Sequence, residues 1–118
     1  MVTTVKDVLE DLAGDAWDNW NFETGNPVDR EHALYLEELK HVYSEDGAMA
    51  VGWELGVDWA PQCQTQIDVN CGLPPYEQLK GETFPSLFEI IKSKIETEEL
   101  AAFCYGFGRG VSDHQHAP

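Results

Sequence analysis

Residues 48–60 of this 118-residue chain read AMAVGWELGVDWA, and their interpretation decides the fold class. Large apolar residues occupy every second position from 49 to 59, which is typical of a strand. Read as a helix, the segment presents one face of small residues that a second helix can approach closely: Ala48, Gly52, Gly56 and Ala60. The two glycines cost a helix about 1 kcal/mol each relative to alanine. The segment is nevertheless long for a strand and Ser44-Glu-Asp before it is a good helix start, so we predict a helix.

A similar block recurs 54 residues later. The matching positions are Ala48 and Ala102, Gly52 and Gly106, Gly56 and Gly110, Val57 and Val111, and Glu45 and Glu99. Each block follows a segment with helical character, residues 27–43 in the first case and 85–95 in the second. The correspondence suggests a degenerate two-fold repeat of a helical pair, and five identities on mostly small residues also arise by chance.

The rest of the chain favours helices. Residues 4–21 carry the apolar period of an amphipathic helix, and Asn26 followed by Pro27 is a good start for a second helix. Residues 61–84 are rich in proline and glycine, and we predict a long irregular connection there with one short strand at 65–69.

We therefore predict a mainly α fold, a small helical domain of four to five helices. The single acidic domain covers residues 1–111, and 112–118 form a flexible tail. The alternative is an α+β fold with strands near 48–59 and 103–111.

The charge of the chain is strongly one-sided. It holds 22 Asp and Glu against 7 Lys and Arg, a formal net charge of −15. Residues 1–60 carry 14 carboxylates and three basic residues, whereas residues 61–118 carry eight and four. Such a field has a direction and favours association with basic partners. A generally acidic surface is also typical of proteins from halophiles.

The first helix carries the most regular acidic row. Asp7, Asp11 and Asp15 are four residues apart, about 6 Å of helical rise each, and Asp18 continues the row. Such a row is either a solvated polar face or a file of anions that approximates the charges along one nucleic-acid strand.

We predict that acidic residues of the first two helices bind the partner, and that three aromatic side chains add apolar contact. The carboxylates are Asp7, Glu10, Asp11, Asp15, Asp18, Glu23, Glu31, Glu37, Glu38, Glu45 and Asp46, and the aromatic residues are Trp20, Phe22 and Tyr76.

In length, charge and the acidic opening helix with Asp7, Glu10, Asp11, Asp15 and Asp18, the chain resembles a class of small acidic helical inhibitors. These are the DNA mimics of phages and mobile elements, of the anti-restriction (Ocr) and anti-CRISPR type. The resemblance implies a non-enzymatic inhibitor that blocks a basic nucleic-acid-binding protein, a host defence nuclease or CRISPR effector, often as a homodimer. The chain departs from Ocr at its C-terminus, where Asp113-His-Gln-His-Ala-Pro replaces an acidic tail. The alternative is an acidic interaction module with an apolar interface and no nucleic-acid mimicry.

Other candidate sites are sparse. Asp113, His114 and His116 include metal-ligating types but stand together without a partner pair elsewhere. Cys104 lacks the surroundings of a nucleophile, and whether Cys63 and Cys71 pair is open. Glu54 and Asp58 lie among the large apolar residues Trp53, Leu55 and Trp59, and we expect them to be partly buried. We expect no enzymatic activity, no cofactor, no resident metal and no direct contact with nucleic acid.

The start of the chain and its hydropathy indicate the compartment. Met1-Val-Thr-Thr-Val-Lys lacks the basic and apolar regions of a signal peptide. No stretch is long and apolar enough for a membrane span. We therefore expect a cytoplasmic protein, in the host cell if it is phage-encoded.

Overall fold

The computed structural model describes residues 3–21 and 23–117, and within these ranges the chain forms six α-helices and no β-strand. The helices are α1 (Val5–Asn19), α2 (Pro27–Asp46), α3 (Ala48–Trp59), α4 (Pro75–Gln78), α5 (Ser86–Lys94) and α6 (Thr97–Gln115). A 3₁₀ turn, Ala60–Gln62, follows α3. The prediction of a mainly α fold is confirmed, and the α+β alternative with strands near 48–59 and 103–111 is wrong. The single-turn α4, inside the predicted irregular connection, is the helix that the count of four to five omitted.

The backbones of α3 and α6 touch. A Cβ atom on Gly52 would lie 2.1 Å from the carbonyl oxygen of Phe103, and one on Gly56 would lie 2.2 Å from that of Phe107. Only a hydrogen atom fits in either place, and it points towards the carbonyl oxygen. Such Cα–H···O contacts are weak individually but allow helices to approach closely.

The same contact occurs in the opposite sense. A Cβ atom on Gly106 would lie 2.0 Å from the carbonyl oxygen of Met49, and one on Gly110 would lie 2.3 Å from that of Trp53. Residue numbers rise together along both helices, so α3 and α6 run parallel. The two contacts are equivalent under the 54-residue offset of the repeat. Position 52 corresponds to position 106, and position 49 corresponds to position 103, so the Gly52–Phe103 contact matches the Gly106–Met49 contact. The two blocks recognised in the sequence are therefore the two sides of one pseudo-two-fold interface, which we call the glycine seam.

The pseudo-symmetry ends outside the seam. Gly47 separates α2 from α3. Its φ of 85° is in the left-handed region, which favours glycine. Residues 44–46, expected to start the third helix, instead complete α2. Before α6 the chain breaks at Ile95 and Glu96, whose counterparts at a 54-residue offset lie inside α2. The flanking helices therefore do not repeat.

Helices α1 and α2 form a hairpin. Thr4 caps α1 in a capping box with Asp7, and Asn26 caps α2 through the Val28 N–H, with Pro27 as its first residue. Their facing sides are buried through Val5, Val8, Leu9, Ala13 and Ala16 of α1 and Ala33, Leu36 and Leu39 of α2.

An aromatic cluster packs beside the glycine seam. Phe88 of α5 stacks on Phe103 with ring centroids 5.0 Å apart and lies 4.0 Å from the Phe107 ring. Phe84 meets the edge of Trp59 at 5.9 Å. Burial of such rings contributes most of the apolar stabilisation of a small core, and here it fixes α5 against α6.

Side-chain amides of two glutamines order the connection between α3 and α5. Gln115 of α6 accepts a hydrogen bond from the Ile67 N–H (2.8 Å) and donates one to the Thr65 carbonyl oxygen (2.7 Å). Gln78 of α4 accepts from the Asp68 N–H and donates to its carbonyl oxygen. Residues 65–69 have no neighbouring strand, and these side-chain amides bond to their backbone groups instead. The short strand predicted at 65–69 is therefore not present.

Helix α6 extends past the predicted domain end at residue 111. Ser112 is buried, and Gln115 is held by the connection. Residues 112–115 are therefore a packed part of α6, and the predicted tail 112–118 begins too early. Met1, Val2, Phe22 and Pro118 lie outside the described residues.

The glycine seam predicts a symmetric sensitivity to substitution. Gly52→Ala and Gly106→Ala each place a methyl group against a backbone oxygen that cannot move aside, so we expect both to lower the free energy of unfolding by about 3 kcal/mol. Urea denaturation followed by circular dichroism measures this. Gly14→Ala, on α1 with no atom within 4 Å of the new Cβ, is the control and should stabilise by about 1 kcal/mol. A loss below 1 kcal/mol in both seam variants would contradict the close contact.

Candidate acidic interaction surface

The eleven carboxylates predicted to bind a partner all lie on the α1–α2 hairpin or its turn. Ten are exposed, and Glu37 is half-buried. Glu23 lies in the turn between the helices, and Glu45 and Asp46 lie in the last turn of α2. The structure therefore places the predicted residues on one supersecondary unit, which we call the acidic hairpin.

The row on α1 is a continuous face. Asp7, Asp11, Asp15 and Asp18 fall within roughly 80° of arc around the helix axis, and all four are exposed. Asp7 has a second role, since its carboxylate accepts the Thr4 N–H at 3.2 Å in the capping box. The other three carboxylates point away from the buried side of α1.

A second row runs along α2. Glu31, Glu38 and Glu45 are exposed and seven residues apart, which places them on one side of the helix with about 10.5 Å of rise between neighbours. Sequence analysis identified these three residues without recognising the row, although their seven-residue spacing was the signal that could have shown it.

Few positive charges balance the acidic hairpin. Residues 5–46 contain 12 carboxylates and three basic residues, a net charge of −9. Among the described residues of the hairpin, the ion pairs are Lys6–Glu10 at 3.9 Å and Lys40–Glu37 at 3.4 Å. Arg30 lies 5.6 Å from the ring centre of Trp20. Exposed pairs of this kind are weak, so the hairpin keeps a strongly negative surface.

Glu99 is a structurally important carboxylate that the sequence identified only as a repeat match. It accepts hydrogen bonds from the Val5 N–H of α1 and from the Tyr43 hydroxyl of α2. The neighbouring Glu96 N–H donates to the Thr3 carbonyl oxygen at 3.1 Å. Helix α6 therefore holds the base of the acidic hairpin, and the hydrogen bond to Glu99, with burial, raises the pKa of Tyr43 to about 12.

Carboxylates also converge where α2 meets α3. Burial, together with the charges of Asp58 and Glu38, raises the pKa of Glu54 above its ordinary value. The Tyr35 hydroxyl donates to Asp58 Oδ2 at 2.8 Å. Burial, and then this bond, raises the pKa of Tyr35. Of the two carboxylates expected to be partly buried, Glu54 is half-buried, whereas Asp58 is exposed.

The aromatic residues predicted to add contact area are less available than expected. Trp20 is half-buried with its ring 5.8 Å from that of Trp17. Tyr76 is half-buried and stacks on Phe84 at 5.8 Å, so it belongs to the aromatic cluster. Phe22 lies outside the described residues.

The C-terminal polar residues take part in local contacts. Asp113 accepts hydrogen bonds from Trp53 Nε1 (2.8 Å) and Arg109 Nε (3.1 Å). His116 Nδ1 lies 2.8 Å from the Ser112 carbonyl oxygen. Across residues 3–21 and 23–117, no three His, Cys, Asp or Glu side chains are grouped as metal ligands would be.

The three cysteines are free thiols. Cys104 is buried, and burial raises the pKa of its thiol. Cys63 donates to the Thr65 carbonyl oxygen at 3.3 Å, and burial raises its pKa as well. Raised pKa values reduce the thiolate fraction, which is the reactive form.

No known relative identifies the chain. Comparison with protein-family models, with curated proteins and with solved structures finds no match. The described part of the chain also contains no helix that is both long and apolar enough to cross a membrane. The surface itself is therefore the basis for a functional proposal.

The Tyr43–Glu99 contact predicts an alkaline loss of stability. An unfolded tyrosine ionises near pH 10, and the folded-state pKa of Tyr43 is raised to about 12. The contribution is therefore fully present below pH 10 and is lost as pH rises from 10 to 12. We expect the free energy of unfolding to fall across this range, and to fall less steeply in Tyr43→Phe.

Urea titrations at several pH values between 8 and 12 measure the two slopes. Tyr35 and Tyr76 also have raised pKa values, so the variant keeps part of the slope. Glu99→Gln, which retains a hydrogen-bond acceptor without the charge, should give an intermediate slope. Equal slopes for the wild type and Tyr43→Phe would show that this contact does not set the pH dependence.

Proposed function

We propose that the protein is a non-enzymatic inhibitor that binds a basic nucleic-acid-binding protein through the acidic hairpin. The class of target that the resemblance implies is a defence nuclease or a CRISPR effector, met in the host cytoplasm. The observation that carries the proposal is the exposed α1 row on a hairpin with a net charge of −9.

The geometry of the α1 row supports a partner that normally reads phosphates. Side chains four residues apart project anions at intervals of about 6 Å along a rigid axis. A nucleic-acid-binding groove presents Lys and Arg in a similarly extended arrangement, because it follows a regularly charged backbone. Like charges at this spacing weaken an isolated helix, and a cationic partner relieves that repulsion.

The energetics predict association that depends on salt. Long-range attraction between the hairpin and a basic groove raises the association rate, and mobile ions screen it over about 10 Å at 0.1 M ionic strength. Duplex DNA should compete for the same groove.

The glycine seam restricts how a homodimer can form. Gly52, Gly56, Gly106 and Gly110 are all buried within one chain, so these small-residue faces form part of the core and are not available as a dimer interface. A homodimer of this fold therefore uses another surface.

An interaction module with an apolar interface is the second candidate, and one surface favours it. A cavity of about 380 Å³ lies between α4 and α6, with Tyr76, Leu100 and Cys104 in its walls. Leu73 (59 % exposed) and Val69 (61 % exposed) of the connection line a second cavity, which shares Tyr105 with the first. Exposed apolar residues beside a cavity are typical of a contact surface for a protein partner.

The discriminating experiment is capture of proteins from bacterial lysate on the immobilised protein, with elution by a salt gradient or by duplex DNA. We expect a nucleic-acid-binding protein that either treatment releases. The triple variant Asp11→Asn, Asp15→Asn and Asp18→Asn should lose most of this capture, because it removes the α1 row without touching the capping residue Asp7.

The control changes the same amount of charge elsewhere. Glu77→Gln, Glu89→Gln and Glu98→Gln remove three exposed carboxylates outside the acidic hairpin and should leave capture within twofold of the wild type. Equal losses in the two triple variants would mean that net charge alone matters. A partner that resists both salt and DNA would favour the apolar interface.

A further inference from the structure

A small cavity lies where α2, α3 and the start of α5 meet. Its volume is about 210 Å³, below the range of roughly 300–1,000 Å³ that small-molecule sites occupy. The size therefore suits one amino-acid side chain better than a cofactor or metabolite.

The walls of this cavity differ in chemistry. Leu55, Trp59, Pro85 and Leu87 provide apolar surface, and Asp58 stands at the lining with its carboxylate exposed. Long basic side chains match such a pair of environments, because they bury a methylene stem and keep the charged end in contact with water or an anion.

The electrostatic surroundings are negative. Glu54 and Asp58 are one turn apart on α3, and Glu38 of α2 interacts with Glu54. Within the described ranges no Lys or Arg nitrogen lies within 4.0 Å of these three carboxylates, since the ion pairs of the fold involve other acids. Asp58, the one carboxylate of the three that lines the cavity, therefore has no cation from the described part of this chain within ion-pair distance.

The Tyr35 hydroxyl decides between lysine and arginine. It donates to Asp58 Oδ2 at 2.8 Å, so a ligand that bonds to both carboxylate oxygens would share Oδ2 with this hydroxyl, whereas a ligand that needs one oxygen can use Oδ1. Arginine binds carboxylates best through two parallel hydrogen bonds to both oxygens, whereas the lysine ammonium acts as a point charge and needs one.

We propose that this cavity is a socket for a lysine side chain of the protein partner, with the stem against Leu55 and Leu87 and the ammonium at Asp58. The identity of the occupant rests on the proposed function, since it assumes a basic partner. The socket adds a specific, shape-dependent contact to the diffuse attraction of the acidic hairpin.

The test needs no partner. Nα-acetyl-lysine N-methylamide is titrated into ¹⁵N-labelled protein at constant ionic strength, with the arginine and norleucine analogues as comparisons. We expect the lysine analogue to shift the amide signals of Leu55, Asp58 and Leu87 and the indole N–H signal of Trp59. The norleucine analogue has the stem without the charge and should bind at least tenfold more weakly.

Two variants and a control locate the contact. Asp58→Asn should weaken the lysine analogue by about tenfold, the cost of losing one charge-assisted hydrogen bond. Glu98→Gln removes one exposed carboxylate from α6, outside both the cavity lining and the acidic hairpin, and should change affinity less than twofold. Tyr35→Phe frees Oδ2, so the arginine analogue should gain relative to lysine.

The outcomes separate the socket from the proposed function. Equal binding of norleucine, or shifts spread evenly over the acidic hairpin, would overturn the socket. Tighter binding of arginine than lysine to the wild type would overturn the choice of lysine. Local lysine binding combined with a captured partner that resists salt and DNA would leave the socket standing and reject the proposed inhibitor.

Discussion

The structure depends on direct contact between the backbones of α3 and α6. Four glycines face four carbonyl oxygens across a pseudo-two-fold axis, and no larger residue fits at any of these positions. Close approach brings the flanking rings of Trp59, Phe103 and Phe107 together, which creates the surface on which α5 packs. The α1–α2 hairpin then attaches to this core through α3 and through Glu99 of α6. The packing of α5 and of the α1–α2 hairpin therefore depends on the contact between α3 and α6.

This arrangement explains where the negative charge can accumulate. The outer sides of α1 and α2 face away from the core, and the exposed carboxylates lie there. Self-repulsion among them lowers stability, and the two ion pairs of the hairpin offset little of it. Binding of the proposed basic partner would relieve the repulsion among these carboxylates, which favours the complex. A lysine side chain in the α2–α3 cavity would fix the position of that partner on the acidic hairpin.

Sequence patterns predicted the parts of the fold that local chemistry determines. The apolar period of α1 and the cap formed by Asn26 and Pro27 appear as expected, and 48–60 is helical as predicted through Trp59, ending in a 3₁₀ turn. Two boundaries differed, because Gly47 ends α2 later than expected and contacts with the connection carry α6 through residues 112–115. The parallel direction of the seam and the role of Glu99 depend on residues more than 50 positions apart, which local periodicity cannot show. The carboxylates of the hairpin were identified from the sequence. The influence of one of them, Glu38, on Glu54 arises only when α2 packs on α3, so the sequence alone could not show it.

The parallel course of α3 and α6 also constrains how the chain folds. Two parallel helices cannot be joined by a short turn, so the chain must return along their length before α6 begins, and residues 60–96 provide this return. The seam therefore closes a loop of about 50 residues before its contacts form, at an entropic cost on the order of 3 kcal/mol. Helical domains with local contacts fold in microseconds to milliseconds, and distant contacts slow the process. Because the contacts of the glycine seam join residues about 50 positions apart, we expect this domain to fold more slowly than a helical bundle of the same size with local contacts.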